Sequence, residues 1–140
     1  MNVDYLEVTE KSGDDISQEQ LERICHRYYW AVEYCQGKDV IEVACGTGQG
    51  LGLLLGQSKS LVAGDYSSKI LEIAKSHYGN RILLRQLDAQ DIPFQAQCFD
   101  VIILFEAIYY LPSVEKFIQE CQRILRYNGV VLIATANKDL

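Results

Sequence analysis

The sequence has no CxxC pair of cysteines, no visible signal-peptide pattern and no long apolar run. Its five cysteines are scattered, none forms a CxxC pair, and neither histidine lies at ligand spacing from them. This pattern argues against a disulfide framework and a zinc site, so we expect no bound metal and reduced cysteines in a cytoplasmic protein. The N-terminus shows no signal-peptide pattern, and the apolar stretches have only the length of strands, so we expect no membrane association.

Positive charge is scarce as well. The 140 residues carry a net charge of −6, with no lysine or arginine run longer than two. Because an acidic surface repels phosphate backbones, we expect no nucleic-acid partner. The composition, 49% hydrophobic and 23% charged, is ordinary for a soluble globular protein, and the length fits one domain with its own core.

The beginning of the chain contrasts with the rest. Residues 1–16 are polar and acidic, and we predict a flexible lead-in there, followed by one domain over 17–140. Ser17 and Gln20 form a capping-box pattern, and apolar residues then recur at helical spacing. This first helix should end near Gly37.

Strand and helix patterns then alternate along the chain. A helix should begin at Leu51, Ser67 or Ser68 should cap the next one, and Ser113 should cap the last. Asn128-Gly129 is predicted to end that last helix. The five strands are predicted, as uniformly apolar segments, at 40–44, 61–64, 82–87, 101–105 and 130–134.

Uniformly apolar strands separated by helices predict a parallel sheet between two helical layers. Right-handed crossovers then make this a three-layer, doubly wound α/β fold. A ligand crevice is expected beyond the carboxyl ends of the strands, where the winding reverses. A fifth strand at 130–134 would leave a long apolar edge, so we expect a truncated sheet that is completed elsewhere, or self-association through that edge.

A glycine-rich turn follows the first predicted strand. Gly46, Gly48 and Gly50 stand between that strand and a helix, where glycine permits a tight turn and close approach of a ligand. The dinucleotide fingerprint GxGxxG fails in both registers, because Leu51 and Leu53 occupy the position of the third glycine. A nicotinamide or flavin dinucleotide is therefore only the second candidate for the bound ligand.

Acidic residues follow the next two strands. Asp65 can accept hydrogen bonds from both hydroxyls of a ribose, or can cap the following turn. Since Ser67 can serve as the cap, we expect Asp65 to be free for a ligand. Asp88 can accept from an exocyclic adenine amine, with the small Ala89 leaving room for the ring, or can be a turn aspartate. The glycine-rich turn, Asp65 and Asp88 follow three successive strands, and together they indicate a ligand site more specifically than any one of them.

These features resemble the motifs of class I, Rossmann-like, S-adenosylmethionine-dependent methyltransferases. The resemblance covers residues 39–134, most of the chain. The first motif is similar to Val40-Ile41-Glu42-Val43-Ala44-Cys45-Gly46-Thr47-Gly48, and the second to Gly64-Asp65-Tyr66-Ser67. Later motifs are similar to Leu87-Asp88-Ala89 with Ile92-Pro93-Phe94, to Phe99-Asp100-Val101-Ile102, and to Arg123-Ile124-Leu125-Arg126 with Asn128-Gly129.

The resemblance implies S-adenosylmethionine as the cofactor and assigns its methionine half to the first and fourth strands. Glu42 and the following loop would cradle the methionine, while Phe105 and Glu106 would face its tail and the methyl donor. The loop residues concerned are Ala44, Cys45, Gly46 and Gly48. Ala44 stands where the family often has glycine, and the family's two further strands are absent.

The adenosine half is assigned to the second and third strands. By resemblance, Asp65 would hold the ribose, Tyr66 would pack on the adenine, and Asp88 and Ala89 would flank the adenine edge. Three alternatives stay open for the whole chain: a methyltransferase, a truncated or non-catalytic module that binds the cofactor, and a nicotinamide-dependent oxidoreductase.

The acceptor side is less defined. The Asn- or Asp-Pro-Pro-aromatic motif of the family's amine methylases is absent after strand four, which favours a small-molecule acceptor. Glu106 is the candidate base for a hydroxyl acceptor, or alternatively a neighbour of the cofactor tail. Tyr109, Tyr110 and Tyr28 are candidate substrate contacts, although Tyr28 is also explained by packing of the first helix. Arg27 is interpreted as a solvated helix charge.

Overall fold

The structure is a computed structural model that describes residues 18–135. The predicted lead-in and the capping residue Ser17 lie outside the described residues. The α-helices of the described part are α1 (Gln18–Cys35), α2 (Leu51–Gln57), α3 (Ser68–Tyr78) and α4 (Val114–Ile124). Its strands are β1 (Asp39–Val43), β2 (Ser60–Asp65), β3 (Leu83–Gln86), β4 (Phe99–Phe105) and β5 (Leu125–Ala134), and a 3₁₀ turn covers Ile108–Tyr110.

The five strands form one parallel sheet in the spatial order β3-β2-β1-β4-β5. The chain runs outward from β1 through β2 to β3, and then returns to place β4 on the other side of β1. The winding therefore reverses between β1 and β4. This confirms the predicted doubly wound sheet and locates its crevice beyond the carboxyl ends of these two strands.

Helices cover both faces of the sheet, as the apolar strands predict. Residues of α1, α2 and α3 share one buried cluster with one face of the sheet, and residues of α4 share a second cluster with the other face. In the described residues, helices and strands alternate except between β3 and β4, where residues 87–98 contain no helix. Instead, Ile92 of this connection is buried in the same cluster as Phe117 of α4, so a loop completes the second layer.

The helix starts agree with the predicted caps. Ser67 accepts a hydrogen bond from the backbone N–H of Ile70 at 3.2 Å, and Ser113 accepts one from that of Lys116 at 3.2 Å. A serine hydroxyl at this position satisfies a backbone donor that the helix itself leaves unpaired.

The predicted end of the last helix is wrong. The helix ends at Ile124 rather than at Asn128-Gly129, because Leu125 already pairs with Phe99 and begins β5. The pairing register then shifts before it resumes at Val130, and Asn128 adopts a φ of +68° within this irregular segment. The Asn-Gly pair therefore marks a bulge inside a longer strand.

The central and edge strands differ in burial. β1 and β4 are almost entirely buried, whereas β3 and β5 are the edges of the sheet and are partly exposed. Val130 and Ile133 of β5 are each 37% exposed, so the apolar edge predicted for the fifth strand is present. Among residues 18–135, no helix combines the length and apolar character needed to cross a membrane.

Candidate functional site

A cavity of about 580 Å³ lies at the carboxyl ends of the central strands, within the size range of small-molecule sites. It is formed by the segments that follow β1, β2, β3 and β4, which the parallel topology brings to one edge of the sheet. Its lining residues are Val43, Ala44, Asp65, Tyr66, Ile70, Leu87, Asp88, Ala89, Gln90, Phe105, Glu106, Ala107, Tyr110, Leu111 and Pro112.

The glycine loop after β1 folds through left-handed backbone conformations. Ala44, Gly46 and Gly48 have φ values of +62°, +61° and +88°. Only glycine adopts this region without strain, so Ala44 is strained at the position where the sequence departs from the family motif. At Gly48, a Cβ atom would lie 2.8 Å from the ring of Tyr78, so this position also requires glycine for space.

Tyr78 holds the glycine loop from α3. Its buried hydroxyl donates to the carbonyl oxygen of Gly48 at 2.6 Å and accepts from the backbone N–H of Gly52 at 3.2 Å. Sequence reasoning missed this residue, because a tyrosine at the end of an amphipathic helix looks like ordinary core. No local pattern shows that its hydroxyl reaches the loop.

Asp65 joins the glycine loop to β2. Its Oδ2 accepts from the backbone N–H of Gly46 at 2.9 Å, and its Oδ1 accepts from that of Ser67 at 3.0 Å. The expectation that Asp65 is free is therefore wrong, although the Ser67 hydroxyl does cap α3. A carboxylate has about four acceptor sites, so both oxygens retain capacity for a ligand on the cavity wall.

Asp88 is both a turn residue and a wall residue. Its Oδ1 accepts from the backbone N–H of Gln90 at 2.8 Å, and its carbonyl oxygen accepts from that of Asp91 at 3.0 Å. This small turn presents Asp88 and Ala89 to the same cavity as Asp65. The two interpretations of Asp88 are therefore compatible.

The apolar segment after Asp88 is fastened to α4. Arg123 donates to the carbonyl oxygens of Ile92 and Phe94 at 2.8 and 2.7 Å, and Glu120 accepts from the backbone N–H of Ile92 at 2.7 Å. Glu120 and Arg123 also pair with each other at 2.6 Å. Sequence reasoning gave neither side chain a role at the site, since their partners are backbone groups.

Glu42 lies inside the sheet and away from the cavity lining. It is 1% exposed, and its Oε2 accepts from the hydroxyl of Tyr28 at 2.5 Å. Burial raises the pKa of Glu42 to about 8, the Tyr28 bond opposes this rise, and the charge of Asp65 adds to it. Its Oε1 and the Oγ1 of Thr47 are buried without a hydrogen-bond partner among the described residues.

Cys45 in the loop and Tyr28 beside it are both buried. Cys45 is 3% exposed, and burial holds the pKa of its thiol well above the usual range, which keeps it neutral. Tyr28 is 5% exposed and packs edge-to-face on Phe105, with the ring centroids 5.2 Å apart. Its contacts agree with the packing interpretation, and it does not line the cavity, so its role as a substrate contact stays a prediction.

Glu106, the residue that follows β4, has a strained backbone and an ionic partner. Its φ is +56°, and its carboxylate forms an ion pair with the guanidinium of Arg27 on α1. The interpretation of Arg27 as a solvated charge is therefore wrong, because the helix directs it to the end of β4. Phe105, before Glu106, is nearly buried and contributes to the cavity wall.

Three exposed tyrosines lie around the cavity mouth. Tyr66 and Tyr110 line the cavity and are 74% and 75% exposed. Tyr109 lies outside the lining, with its ring centroid 4.5 Å from that of Tyr110. Within residues 18–135, no group of three or more histidine, cysteine or acidic side chains is arranged to hold a metal ion.

The structure brings the features that follow the first three strands close together. Asp65 bonds directly to the loop at Gly46, and Asp65 and Asp88 line one cavity. The sequence could not show two of the supports, Tyr78 and the Arg27–Glu106 pair, because each joins elements that are distant along the chain.

Comparison with known proteins relates this chain to methyltransferases. Residues 41–133 match the family model described as a methyltransferase domain. The chain is 30% identical over 104 residues to a probable S-adenosylmethionine-dependent methyltransferase of Mycobacterium tuberculosis, covering 74% of this chain and 38% of that protein. It is 30% identical over 108 residues to the ubiquinone biosynthesis O-methyltransferase of Coxiella burnetii, covering 74% of this chain and 46% of that protein.

The fold has counterparts among solved structures. The crystal structure of the YcgJ protein from Bacillus subtilis superposes with a TM-score of 0.72 at 21% identity, covering 77% of this chain and 49% of that one. The chain thus spans less than half the length of these relatives.

Proposed function

The chain belongs to the class I S-adenosylmethionine-dependent methyltransferases, and on that premise we propose that it transfers a methyl group to a small-molecule acceptor. The observation that carries the proposal is a cavity shared by the ends of four strands, with Asp65, Asp88 and Glu106 on its wall. A walled cavity of this volume suits a cofactor and a compact acceptor better than a polymer. The chain's net charge of −6 also disfavours a nucleic-acid acceptor.

The residues present fit this cofactor. The glycine loop continues directly from Val43 and Ala44 of the cavity wall and turns through positive φ at Gly46 and Gly48. The buried Glu42 Oε1 and Thr47 Oγ1 lack partners among the described residues, and buried polar atoms without partners are typical of sites that await a ligand.

We assign the adenosine half of the cofactor to β2 and β3. The remaining acceptor capacity of Asp65 would receive the ribose hydroxyls, and the exposed ring of Tyr66 would pack on the adenine face. Asp88 would accept from the adenine amine beside Ala89. The clamp from Glu120 and Arg123 keeps the neighbouring apolar segment in place.

We assign the methionine half to β1 and β4. The loop from Ala44 to Gly48, including Cys45, would cradle it, with Glu42 beneath and with Phe105 and Glu106 facing its tail. S-adenosylmethionine supplies an already activated methyl group on a sulfonium. The protein therefore has mainly to align the acceptor with the S–CH₃ bond and exclude water.

Glu106 is the acid that remains for the acceptor once Asp65 and Asp88 serve the adenosine. If the acceptor is a hydroxyl, Glu106 takes its proton, with Tyr110 and its neighbour Tyr109 near the mouth as acceptor contacts. In that case Glu106→Gln lowers kcat and leaves the affinity for S-adenosylhomocysteine nearly unchanged. A matched loss of affinity would instead assign Glu106 to the cofactor tail.

Calorimetry tests the proposal at two levels. Titration of the 140-residue chain with S-adenosylmethionine and with NADH should show saturable binding of the first alone, and binding of NADH alone would overturn the proposal.

Methylation of phenol, amine and carbon acceptors by this chain and by a longer relative then tests catalysis. Cofactor binding without methylation by this chain would favour a binding module. Concentration-dependent sedimentation tests self-association through β5.

A further inference from the structure

One side chain of α1 contacts three parts of the site at once. The Tyr28 hydroxyl donates to Glu42 on β1, and its ring packs on Phe105 at the end of β4. Its ring also fills the space beside Gly50, where a Cβ atom would lie 2.1 Å from ring carbons. Tyr28 therefore lies at the point where the winding of the sheet reverses and where the glycine loop returns into α2.

The carboxyl group that Tyr28 contacts has no cationic neighbour in the described chain. The titratable groups that act on Glu42 are Tyr28 and Cys35 of α1, Cys45 of the loop and Asp65 of β2, all neutral or acidic. Its second oxygen has no hydrogen-bond partner there. A positively charged ligand group in the methionine half of the site would supply the missing counter-charge.

We propose that Tyr28 is a positioning residue for cofactor binding. Its ring occupies the space beside Gly50 and thereby sets the position of the glycine loop there. Its hydroxyl fixes the buried carboxyl group of Glu42 in one orientation beneath the loop. The inference rests on the proposed assignment of the methionine half, because S-adenosylmethionine carries positive charge on both its sulfonium and its ammonium group. Tyr28 acts through Gly50 and Glu42 and does not itself contact the cavity.

Cofactor binding should depend on pH through the ionisation of Glu42. Burial raises the pKa of Glu42 to about 8, so its carboxyl group is largely protonated at neutral pH. A cationic ligand favours the ionised form, so binding should release a proton, and affinity should rise as the pH approaches 8. The Tyr28 bond holds this pKa down, so its removal should move the rise in affinity to higher pH.

Tyr28→Phe tests the hydroxyl and keeps the ring. The full 140-residue chain is titrated with S-adenosylmethionine by calorimetry between about pH 6 and about pH 9, in buffers of different ionisation enthalpy. We expect about tenfold weaker binding near neutral pH and a profile displaced to higher pH, the loss typical of one hydrogen bond to a charged group. Tyr29→Phe, the same change at the adjacent, 49% exposed tyrosine, should bind as the wild type.

Each outcome decides between the two proposals. A wild-type protein that binds no S-adenosylmethionine overturns the proposed function and this inference together. Wild-type binding with an unchanged affinity and pH profile in Tyr28→Phe overturns this inference alone. If Tyr28→Phe does not fold, Glu42→Gln keeps an acceptor for the Tyr28 hydroxyl and removes the titration. Its affinity should then be independent of pH, and a wild-type profile would contradict the role of Glu42.

Discussion

Acidic side chains lie at both ends of the parallel sheet, and their partners differ. At the amino ends, Arg126 bridges Asp39 and Asp100 at 2.8 and 3.0 Å, and Ser60 donates to Asp39 at 2.6 Å. At the carboxyl ends, Glu42 is buried beside a tyrosine, and Asp65 receives only backbone N–H groups. Paired acids contribute to stability, whereas acids with unused acceptor capacity are available to a ligand.

The backbone that follows the two central strands is strained as well. Ala44 follows β1, Glu106 follows β4, and both adopt left-handed conformations. Gly46 and Gly48, in the loop after β1, do so as well. Such conformations cost energy in residues with a side chain and persist where the surrounding fold enforces them. The carboxyl edge of the sheet thus combines strained residues with the buried, unsatisfied oxygens of Glu42 and Thr47, in addition to the Arg27–Glu106 ion pair.

The largest effect expected from this comparison is an opposite pH dependence of stability at the two ends. Burial raises the pKa of Glu42 from 4.5 in a free side chain to about 8, so stability is lost as pH rises between these values. At about 1.4 kcal/mol per pKa unit, the loss is on the order of 5 kcal/mol. Urea unfolding should show that Glu42→Gln is more stable than the wild type at alkaline pH and similar near pH 4.5.

The stability contributed by Asp39 should depend on pH in the opposite direction. Bonds from Ser60 and Arg126 lower its pKa, so its contribution is present above its free pKa and is lost as pH falls through the folded value. Asp39→Asn should therefore reduce the stability lost on acidification. If both variants changed stability in the same pH range, the contrast between the two ends would be wrong.

The next largest effect concerns binding. Asp65→Ala should weaken S-adenosylhomocysteine binding by about 100-fold, since it removes the ribose acceptor and the bond to Gly46. Asp100→Ala, at the amino end, should keep the wild-type affinity and lower the melting temperature instead. Equal losses of affinity in the two variants, measured by calorimetry, would remove the functional distinction between the ends.

A moderate effect is expected at the support of the loop. Tyr78→Phe should cost about 1–2 kcal/mol of unfolding free energy, because the carbonyl of Gly48 and the N–H of Gly52 lose a buried partner. Affinity for the cofactor should fall with it. Tyr127→Phe, at a 93% exposed tyrosine, should change neither quantity, and a similar loss there would show that the assay does not report on the loop.

The smallest effect is expected at Ala44. Since its φ is +62°, Ala44→Gly should relieve strain and stabilise the protein by up to about 1 kcal/mol. Ala63→Gly, in the buried centre of β2, should destabilise it, because no strain is relieved there and packing is lost. A destabilised Ala44→Gly in urea unfolding would contradict the strain at the carboxyl edge.

Local patterns predicted most of the fold. Apolar runs located all five strands, and the hydroxyls of Ser67 and Ser113 cap the helices as their positions indicate. The pattern failed at Asn128-Gly129, where a turn signal marks a bulge, because pairing of Leu125 with β4 overrides local preference.

The site was predictable only where its residues follow a strand directly. Asp65, Asp88 and Glu106 line the cavity because parallel topology gathers strand ends at one edge. Tyr78 and Arg27 could not be found in this way, since each acts across the fold through a contact that depends on tertiary packing. Tyr28 was visible as a helix aromatic, but its bond to Glu42 was not.

A crystal structure of the chain with S-adenosylhomocysteine would show whether the carboxyl ends of β1 to β4 hold the cofactor. We expect ribose hydroxyls within hydrogen-bond distance of the Asp65 carboxylate, adenine between Tyr66 and Ala89, and the methionine tail over the loop at Gly46. A ligand bound elsewhere, or bound with its ribose away from Asp65, would contradict this expectation.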